Sequence, residues 1–476
     1  MTMHPNLVAG TWVTSPTATA NINPSNVDDI VGHYADATPD QVKQAAEAAR
    51  RAATSWGRAP FAERANLLFA VATAIDARRG ALALLLSREE GKALRDATGE
   101  VARAADIFRF YAGEVYRMGG DSIGSVRPGV SVNVIHEPVG VVGLITPWNF
   151  PMAIPAWKIA PALAYGNAVL YKPSELVPAC AFALSEIIHE AGAPAGVFNL
   201  LMGGDEVGRM VVGVADAVSF TGSVATGVAV ATQAARRMIP AQCELGGKNP
   251  LIVLADADLA VAVDCAVQGG FMQTGQRCTA SSRLIVDQAI VEPFTAALKL
   301  RLSKLTIDEG ASPSTDIGPV ADLRQFEKDL GYIQIGKAEG ARLAFGGEAL
   351  QRTHKGFYLS PALFVETTNA MRINREEIFG PIAAIIPVRG YDEALDIAND
   401  TTFGLSSSIA TTSLKFAEHF KTNTRSGVAM VNLPTAGIDF HVPLSGMRSS
   451  AYGQPEMGHH AMRFYTKVRT TYTFAG

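Results

Sequence analysis

Residues 139–172 read VGVVGLITPWNFPMAIPAWKIAPALAYGNAVLYK. Two short apolar runs, VGVVGLITP and NAVLY, flank a segment whose apolar residues recur at helical spacing (158–165). Apolar strands of this length, with no polar alternation, predict a parallel sheet covered on both faces. The pattern continues outward. GVFNLLMG (196–203) and AVSFTGS (217–223) read as further strands, and 177–192 as a helix between them. Upstream, 40–56, 61–79 and about 93–117 carry helical periodicity. Downstream, NPLIVLADAD (249–258) opens a second series, with SSRLIVD, PIAAIIPV and SGVAMVN as strands and 258–273, 289–304, 391–400 and 413–423 as helices. The fold class is therefore α/β, with two parallel-sheet α/β domains. A β-rich arm is expected from 118–138 and the tail FYTKVRTTYTF (464–474), whose partner is equally a second subunit's sheet edge or a strand of its own chain.

Length and composition agree. The 476 residues carry 41 Lys+Arg against 45 Asp+Glu, a net charge of −4, with 48% hydrophobic and 18% charged residues. That is too apolar for disorder, and it lacks the clustered basic charge that phosphate backbones demand, so nucleic acid is excluded as the main partner. No apolar stretch is long enough to cross a bilayer, and no basic residue other than His precedes Lys43, so neither a membrane span nor a targeting segment is expected. Cys180, Cys243, Cys265 and Cys278 form no CxxC pair, which argues against a disulfide framework or a metal site. A cytoplasmic protein with reduced thiols is expected.

Among the four cysteines, Cys278 stands out. In TGQRCTASSR it follows Gly275 and has small polar neighbours and Arg277, a cation able to favour the thiolate. Cys180 and Cys265 lie on apolar helices and read as core. A cysteine nucleophile needs a base, and no histidine motif pairs with Cys278. Glu244, in CELGGKNP just before two glycines, is a candidate to deprotonate water, although a capping or salt-bridged Glu is the plainer alternative. Asn149 lies between Pro147 and Pro151 in TPWNFP, and a stiffly held amide is a donor for an oxyanion, or simply a turn residue. Lys172 and Glu175, in KPSE after a strand, can grip ribose hydroxyls. Residues 203–208, GGDEVG, are not a GxGxxG, so the standard dinucleotide fingerprint is missing. FTGS (220–223) ends a strand and can present N–H groups and a hydroxyl to a phosphate.

Taken together, TPWNFP, YKPSE, FTGS, ELGGKNP, GQRC and EEIFGP, in this order and spacing, resemble the NAD(P)-dependent aldehyde dehydrogenase superfamily over essentially the whole chain. The resemblance implies an aldehyde dehydrogenase-like fold. Segments 1–117 and 139–248 would bind cofactor, 249–448 would be catalytic, and 118–138 with 462–476 would form the oligomerisation arm of a homodimer or homotetramer. It implies that Cys278 attacks the aldehyde and that Asn149 with the Cys278 N–H holds the oxyanion. Glu244 would activate the hydrolytic water, and Lys158 would lie near the active cysteine. The implied cofactor set is Thr146, Pro147, Trp148, Lys172, Ser174, Glu175, Gly204, Gly208, Phe220, Gly222, Ser223, Leu245, Gly246, Glu377 and Phe379. A carboxylate at Glu175 repels a 2′-phosphate, so NAD is expected over NADP.

In texture, AIPAWK, GQRCTASSR and NLPTAGIDFHVPLSGMRSS are closest to the α-ketoglutaric semialdehyde (2,5-dioxopentanoate) dehydrogenases of this superfamily. The aldehyde would then carry a distal carboxylate, with Arg103 and Arg277 as candidate cations; a surface salt bridge is the alternative for each. Phe150, Trp157 and Thr279 complete the implied substrate set. Succinate-semialdehyde dehydrogenases usually have arginines where this chain has Trp157 and Met272, and the PLSGMR stretch, with Leu444 and Ser445, leaves room for a bulkier or aromatic aldehyde. Rival classes are a CoA-acylating enzyme, disfavoured by Glu244, a silent structural protein, and a cysteine hydrolase without cofactor.

Overall fold

The protein is described by a computed structural model covering residues 3–476. Its centre is two mixed sheets. The first has five parallel strands in the order Ala241–Glu244, Ala217–Thr221, Val141–Ile145, Ala168–Lys172, Phe198–Leu200. Antiparallel strands close both edges: Ala451–Tyr452 on one side, Asn6–Val8 and then Thr11–Val13 on the other. The second sheet runs Arg342–Phe345, Ala362–Val365, Ile382–Val388, Ser281–Asp287, Asn249–Val253, Ser406–Ala410, Val428–Val431, parallel throughout except for Arg342–Phe345. Every residue of Val141–Ile145, Ala168–Lys172 and Ala217–Thr221 is buried, the condition under which an unbroken apolar run becomes a strand.

Helices cover the sheets. Pro39–Trp56 begins with a capping box, Thr38 and Gln41 each satisfying the other's backbone, and buries Ala45, Ala49, Ala52 and Trp56 along one face. Phe61–Ala77, Leu94–Glu114 and Ala153–Ala164 share the largest apolar core, with Phe108, Tyr111, Ile159 and Leu163 fully enclosed. Residues 449–461, to which the sequence assigns no domain, hold the strand Ala451–Tyr452 that returns to the first sheet. The tail strand Thr466–Phe474 pairs along its whole length with Val130–Pro138, which also pairs with Asp121–Gly124. Of the two partners expected for the tail, the structure gives it one in its own chain.

Only four residues, 245–248, link the last parallel strand of the first sheet to Asn249–Val253 of the second. Loops after the carboxyl ends of the first sheet's strands therefore face segments just before the second sheet's strands. Pro147, Trp148, Ser174, Glu175, Gly222 and Gly246 come from the former; Cys278, Glu377 and Phe379 come from the latter.

Candidate active site

The backbone ahead of Cys278 is wound tightly. Gln273, Thr274 and Gly275 have φ of +55°, +58° and +65°, a left-handed turn that two of them adopt at a steric cost. Glycine is required at 275, because a Cβ there would overlap the carbonyl of Gly380. The turn is anchored: the Thr274 hydroxyl donates to the Gly318 carbonyl at 3.1 Å, and Gln276 Oε1 accepts the Ala321 N–H at 3.0 Å. On the far side, Asn249 Nδ2 donates to the carbonyls of Cys278 (2.8 Å) and Ala280 (3.0 Å). Cys278 is thus held half-buried in the wall between two cavities, one of about 580 Å³ and one of about 300 Å³, and it lines both.

Electrostatics around the thiol correct one expectation. Burial pushes Cys278 up to about 12, with Glu377 and Glu244 adding to the rise and the Thr279 N–H opposing it. Arg277 does not offset this rise: its charge couples to Cys278 and the two share the smaller cavity, but its guanidinium donates to the carbonyls of Gln268 and Gly269, the latter at 2.9 Å.

Asn149 is buried; its Nδ2 donates to the Gln276 carbonyl at 2.9 Å, which leaves a second N–H. Glu244 ends its strand, buried, with Oε2 lacking a partner among the described residues. Burial, then Glu456, hold its carboxyl well above the usual range, against the pull of Lys158. Lys158 lines neither cavity. Its ammonium is fully buried, donates to Ser219 Oγ at 2.7 Å and pairs with Glu456, so it bears on Glu244 rather than lying against Cys278 as expected.

The larger cavity gathers Pro147, Trp148, Ser174, Glu175, Gly222, Ser223, Leu245, Gly246, Glu377 and Phe379 with Asn149 and Cys278. Ser223 caps the helix Val224–Arg236, its hydroxyl accepting the Thr226 N–H, so a helix N-terminus opens onto the cavity. Glu377 Oε1 accepts the Gly247 N–H at 2.8 Å, and the Trp148 and Phe379 rings meet edge to face at 5.4 Å. Glu175 is 48% exposed at the rim, 3.7 Å from the ammonium of buried Lys172. Thr146, Lys172, Gly204, Gly208 and Phe220 do not line it. Thr146 and Lys172 are buried behind it, Gly204 and Gly208 begin the helix Asp205–Val214, and the Phe220 ring packs where a side chain on residue 222 would have to go. Asp205, Asp322, Arg324, Gln325 and Lys328 also line this cavity and were missed. Asp205 lies within the GGDEVG stretch already noted; no local motif marks the other four, which converge only in the fold.

The smaller cavity brings together all five substrate candidates, Arg103, Phe150, Trp157, Arg277 and Thr279. Arg103 donates to the Ile438 carbonyl. Leu444 lines the wall, whereas Ser445 and Met272 do not. Asp96, Gln273 and Ile438 were not foreseen. Among the described residues, no group of three or more His, Cys, Asp or Glu is placed to hold a metal ion, and no helix is long and apolar enough to cross a membrane.

Comparison with known proteins adds a second line. Residues 12–471 match the model of the aldehyde dehydrogenase family. The chain is 41% identical to an alpha-ketoglutaric semialdehyde dehydrogenase of Bacillus subtilis, covering 98% of this chain and 97% of that protein. It is 39% identical to a 2,5-dioxopentanoate dehydrogenase of Saccharolobus solfataricus, covering 95% of each. Among solved structures, a betaine aldehyde dehydrogenase from Staphylococcus aureus in complex with NAD+ superposes with a TM-score of 0.96 at 32% identity, over 99% of this chain and 95% of that one.

Proposed function

The chain belongs to the aldehyde dehydrogenase family, and from that premise we propose that it oxidises α-ketoglutaric semialdehyde to 2-oxoglutarate with NAD. The observation that carries the chemistry is the position of Cys278, shared by two cavities and reached by Asn149 from the larger one. The larger cavity suits a dinucleotide. Glu175 at its rim accepts ribose hydroxyls and repels a 2′-phosphate, a helix N-terminus faces anionic oxygens, and Glu377 offers a second carboxylate for hydroxyls. NAD, when bound, accepts the hydride from the aldehyde carbon.

The chain supplies the rest. Cys278, held as a thiol by its surroundings, passes its proton to water as sulfur bonds the carbonyl carbon. The free N–H of Asn149 and the backbone N–H of Cys278 donate to the oxygen that becomes negative. After oxidation the acyl group is a thioester on Cys278. Glu244, whose raised pKa makes its carboxylate a stronger base, takes a proton from water; the resulting attack breaks the C–S bond and releases acid and thiol.

Substrate choice rests on the smaller cavity, where Arg103, Arg277 and the more exposed Arg95 place three guanidinium groups around a site ending at Cys278. That field favours an aldehyde with a distal carboxylate and opposes a quaternary ammonium such as betaine aldehyde. The carboxyls of Asp96 and Glu100 also line it, but each faces a cation of its own, Arg95 at 3.9 Å and Lys92 at 2.6 Å. An aldehyde panel followed at the NADH absorbance tests this. The highest kcat/KM is expected with 2,5-dioxopentanoate and NAD, without CoA; betaine aldehyde or benzaldehyde as the best substrate would overturn it.

A further inference from the structure

Asn149 sits in a short loop, and a buried charge cluster outside both the nucleophile and the base holds that loop. Lys92 stands between the helices Arg79–Glu90 and Leu94–Glu114. Its ammonium, buried, donates to Glu100 at 2.6 Å and to the backbone carbonyl of Asn149 at 2.6 Å. The other oxygen of Glu100 accepts the N–H groups of Met152 (2.9 Å) and Ala153 (3.1 Å), at the start of the helix Ala153–Ala164. The same ammonium lies 4.1 Å from the centre of the Phe150 ring. Residues 149, 150, 152 and 153 are each tied to one ion pair; Pro151, between them, has no N–H to tie.

Stability alone is a poor reason for such a cluster. Removing two charges from water costs several kcal/mol per ion, and a buried pair frequently does no better than apolar residues of the same volume. A third titratable group adds to the burden: the Glu90 carboxyl lies 4.0 Å from the Lys92 ammonium with its Oε2 otherwise unpartnered, and burial pushes it up to about 8. What the cluster does supply is position. Asn149 is fixed at its carbonyl by Lys92 and at its side chain by the Gln276 carbonyl, which leaves its second amide N–H with one direction. Phe150 in turn forms part of the smaller cavity's wall.

We infer that Lys92 and Glu100 are positioning residues that aim the Asn149 amide at the developing oxyanion and set the Phe150 ring against the substrate. The inference rests on the role given to Asn149 above. Lys92 acts only through that loop and so leaves dinucleotide binding and the reactivity of Cys278 untouched, whereas Glu100 also lines the smaller cavity beside Arg103.

A double-mutant cycle between Lys92→Met and Asn149→Ala tests it, with kcat/KM for the best aldehyde as readout. Loss of one oxyanion donor lowers turnover by about 10²- to 10³-fold, so Asn149→Ala is expected to fall in that range. Lys92→Met alone should lose about 10- to 100-fold, and the double variant should match Asn149→Ala within about threefold, the non-additivity of residues acting as one unit. The KM for NAD and the rate of Cys278 alkylation by iodoacetamide should stay within about twofold of wild type, which a general structural defect would not permit. Multiplicative losses, or a Lys92→Met protein that loses NAD affinity as much as turnover, overturn the positioning role while leaving the Asn149 assignment intact. An Asn149→Ala protein with wild-type turnover refutes the Asn149 assignment itself. Should Lys92→Met fail to fold, Lys92→Gln enters the same cycle with the same test of non-additivity; Glu100 is left unchanged because it also lines the smaller cavity and its charge acts on Arg103.

Discussion

Arg103→Ala separates recognition of the distal carboxylate from the chemistry at Cys278. The guanidinium spends one donor on the Ile438 carbonyl and lines the cavity that ends at the nucleophile. A guanidinium carries five N–H donors, so others remain for a carboxylate. Two unit charges about 4 Å apart interact by roughly 4 kcal/mol at an effective dielectric constant of about 20. Displaced water and the second cation, Arg277, reduce what is lost, and a hydrogen bond to a charged group is worth about 1.5–3 kcal/mol net. That range corresponds to a fall in kcat/KM of about 10- to 150-fold for 2,5-dioxopentanoate. Propanal, with no carboxylate, should change by about threefold or less, and Arg103→Met, which keeps the apolar stem, should behave like Arg103→Ala. The assay is initial-rate NADH formation with each aldehyde at saturating NAD. Equal losses on both aldehydes would refute the reasoning, because a lost charge contact cannot weaken a substrate that never made it.

Other outcomes follow from single contacts. Glu175→Ser should raise the ratio of NADP to NAD kcat/KM by about tenfold or more, since it removes the like charge facing a 2′-phosphate; an unchanged ratio contradicts the role given to Glu175. In Gly246→Ala the new methyl would overlap the Glu377 carboxylate, the movable end of a side chain, so the fold should survive with a Tm loss of about 4 °C or less while the KM for NAD rises about tenfold. A rise in KM without displacement of Glu377 in a crystal structure contradicts this. With Cys278 raised to about 12, the group is a neutral thiol below that pH, so iodoacetamide alkylation of the free enzyme should climb about tenfold per pH unit from 7 to 10; a plateau below pH 8 would mean that something holds the thiolate.

Those sheets and helices that were legible each obey one period, whereas the helix Leu323–Ala338 and the strands Ala241–Glu244, Ala362–Val365 and Ser406–Ala410 were not read. Val141–Ile145 is apolar at every position because both faces are covered, and Pro39–Trp56 repeats its alanines along one face. The strands Asn6–Val8 and Thr11–Val13 were not, because three residues are too few to establish a period, and a sheet edge recruits them through tertiary contact. Within the site, Cys278, Glu244 and Asn149 stand beside glycines or prolines that advertise an unusual backbone. Asp322, Gln325 and Lys328 carry no such mark; Asp322 caps the helix Leu323–Ala338, which packs on the second sheet, and only the fold brings its first turns into the cavity lined by the first sheet's loops. Arg277, expected to favour the thiolate, does share the smaller cavity with Cys278, but burial of the thiol outweighs its charge, and the extent of that burial is set by the fold. Lys92 precedes the helix that carries Glu100, so no helical spacing links the two in the sequence, and only the fold shows them buried and paired.

The central claim is a covalent bond between Cys278 and the substrate carbon, hydrolysed with Glu244 as base. Glu244→Gln, mixed with NAD and 2,5-dioxopentanoate, acid-quenched within the first turnovers and weighed intact, reads it directly. One acyl group per chain, mapped by peptide mass to Cys278 and absent from Cys278→Ser, is the predicted result. An unmodified Cys278 alongside a stoichiometric burst of NADH, or full turnover by Cys278→Ser, would contradict it.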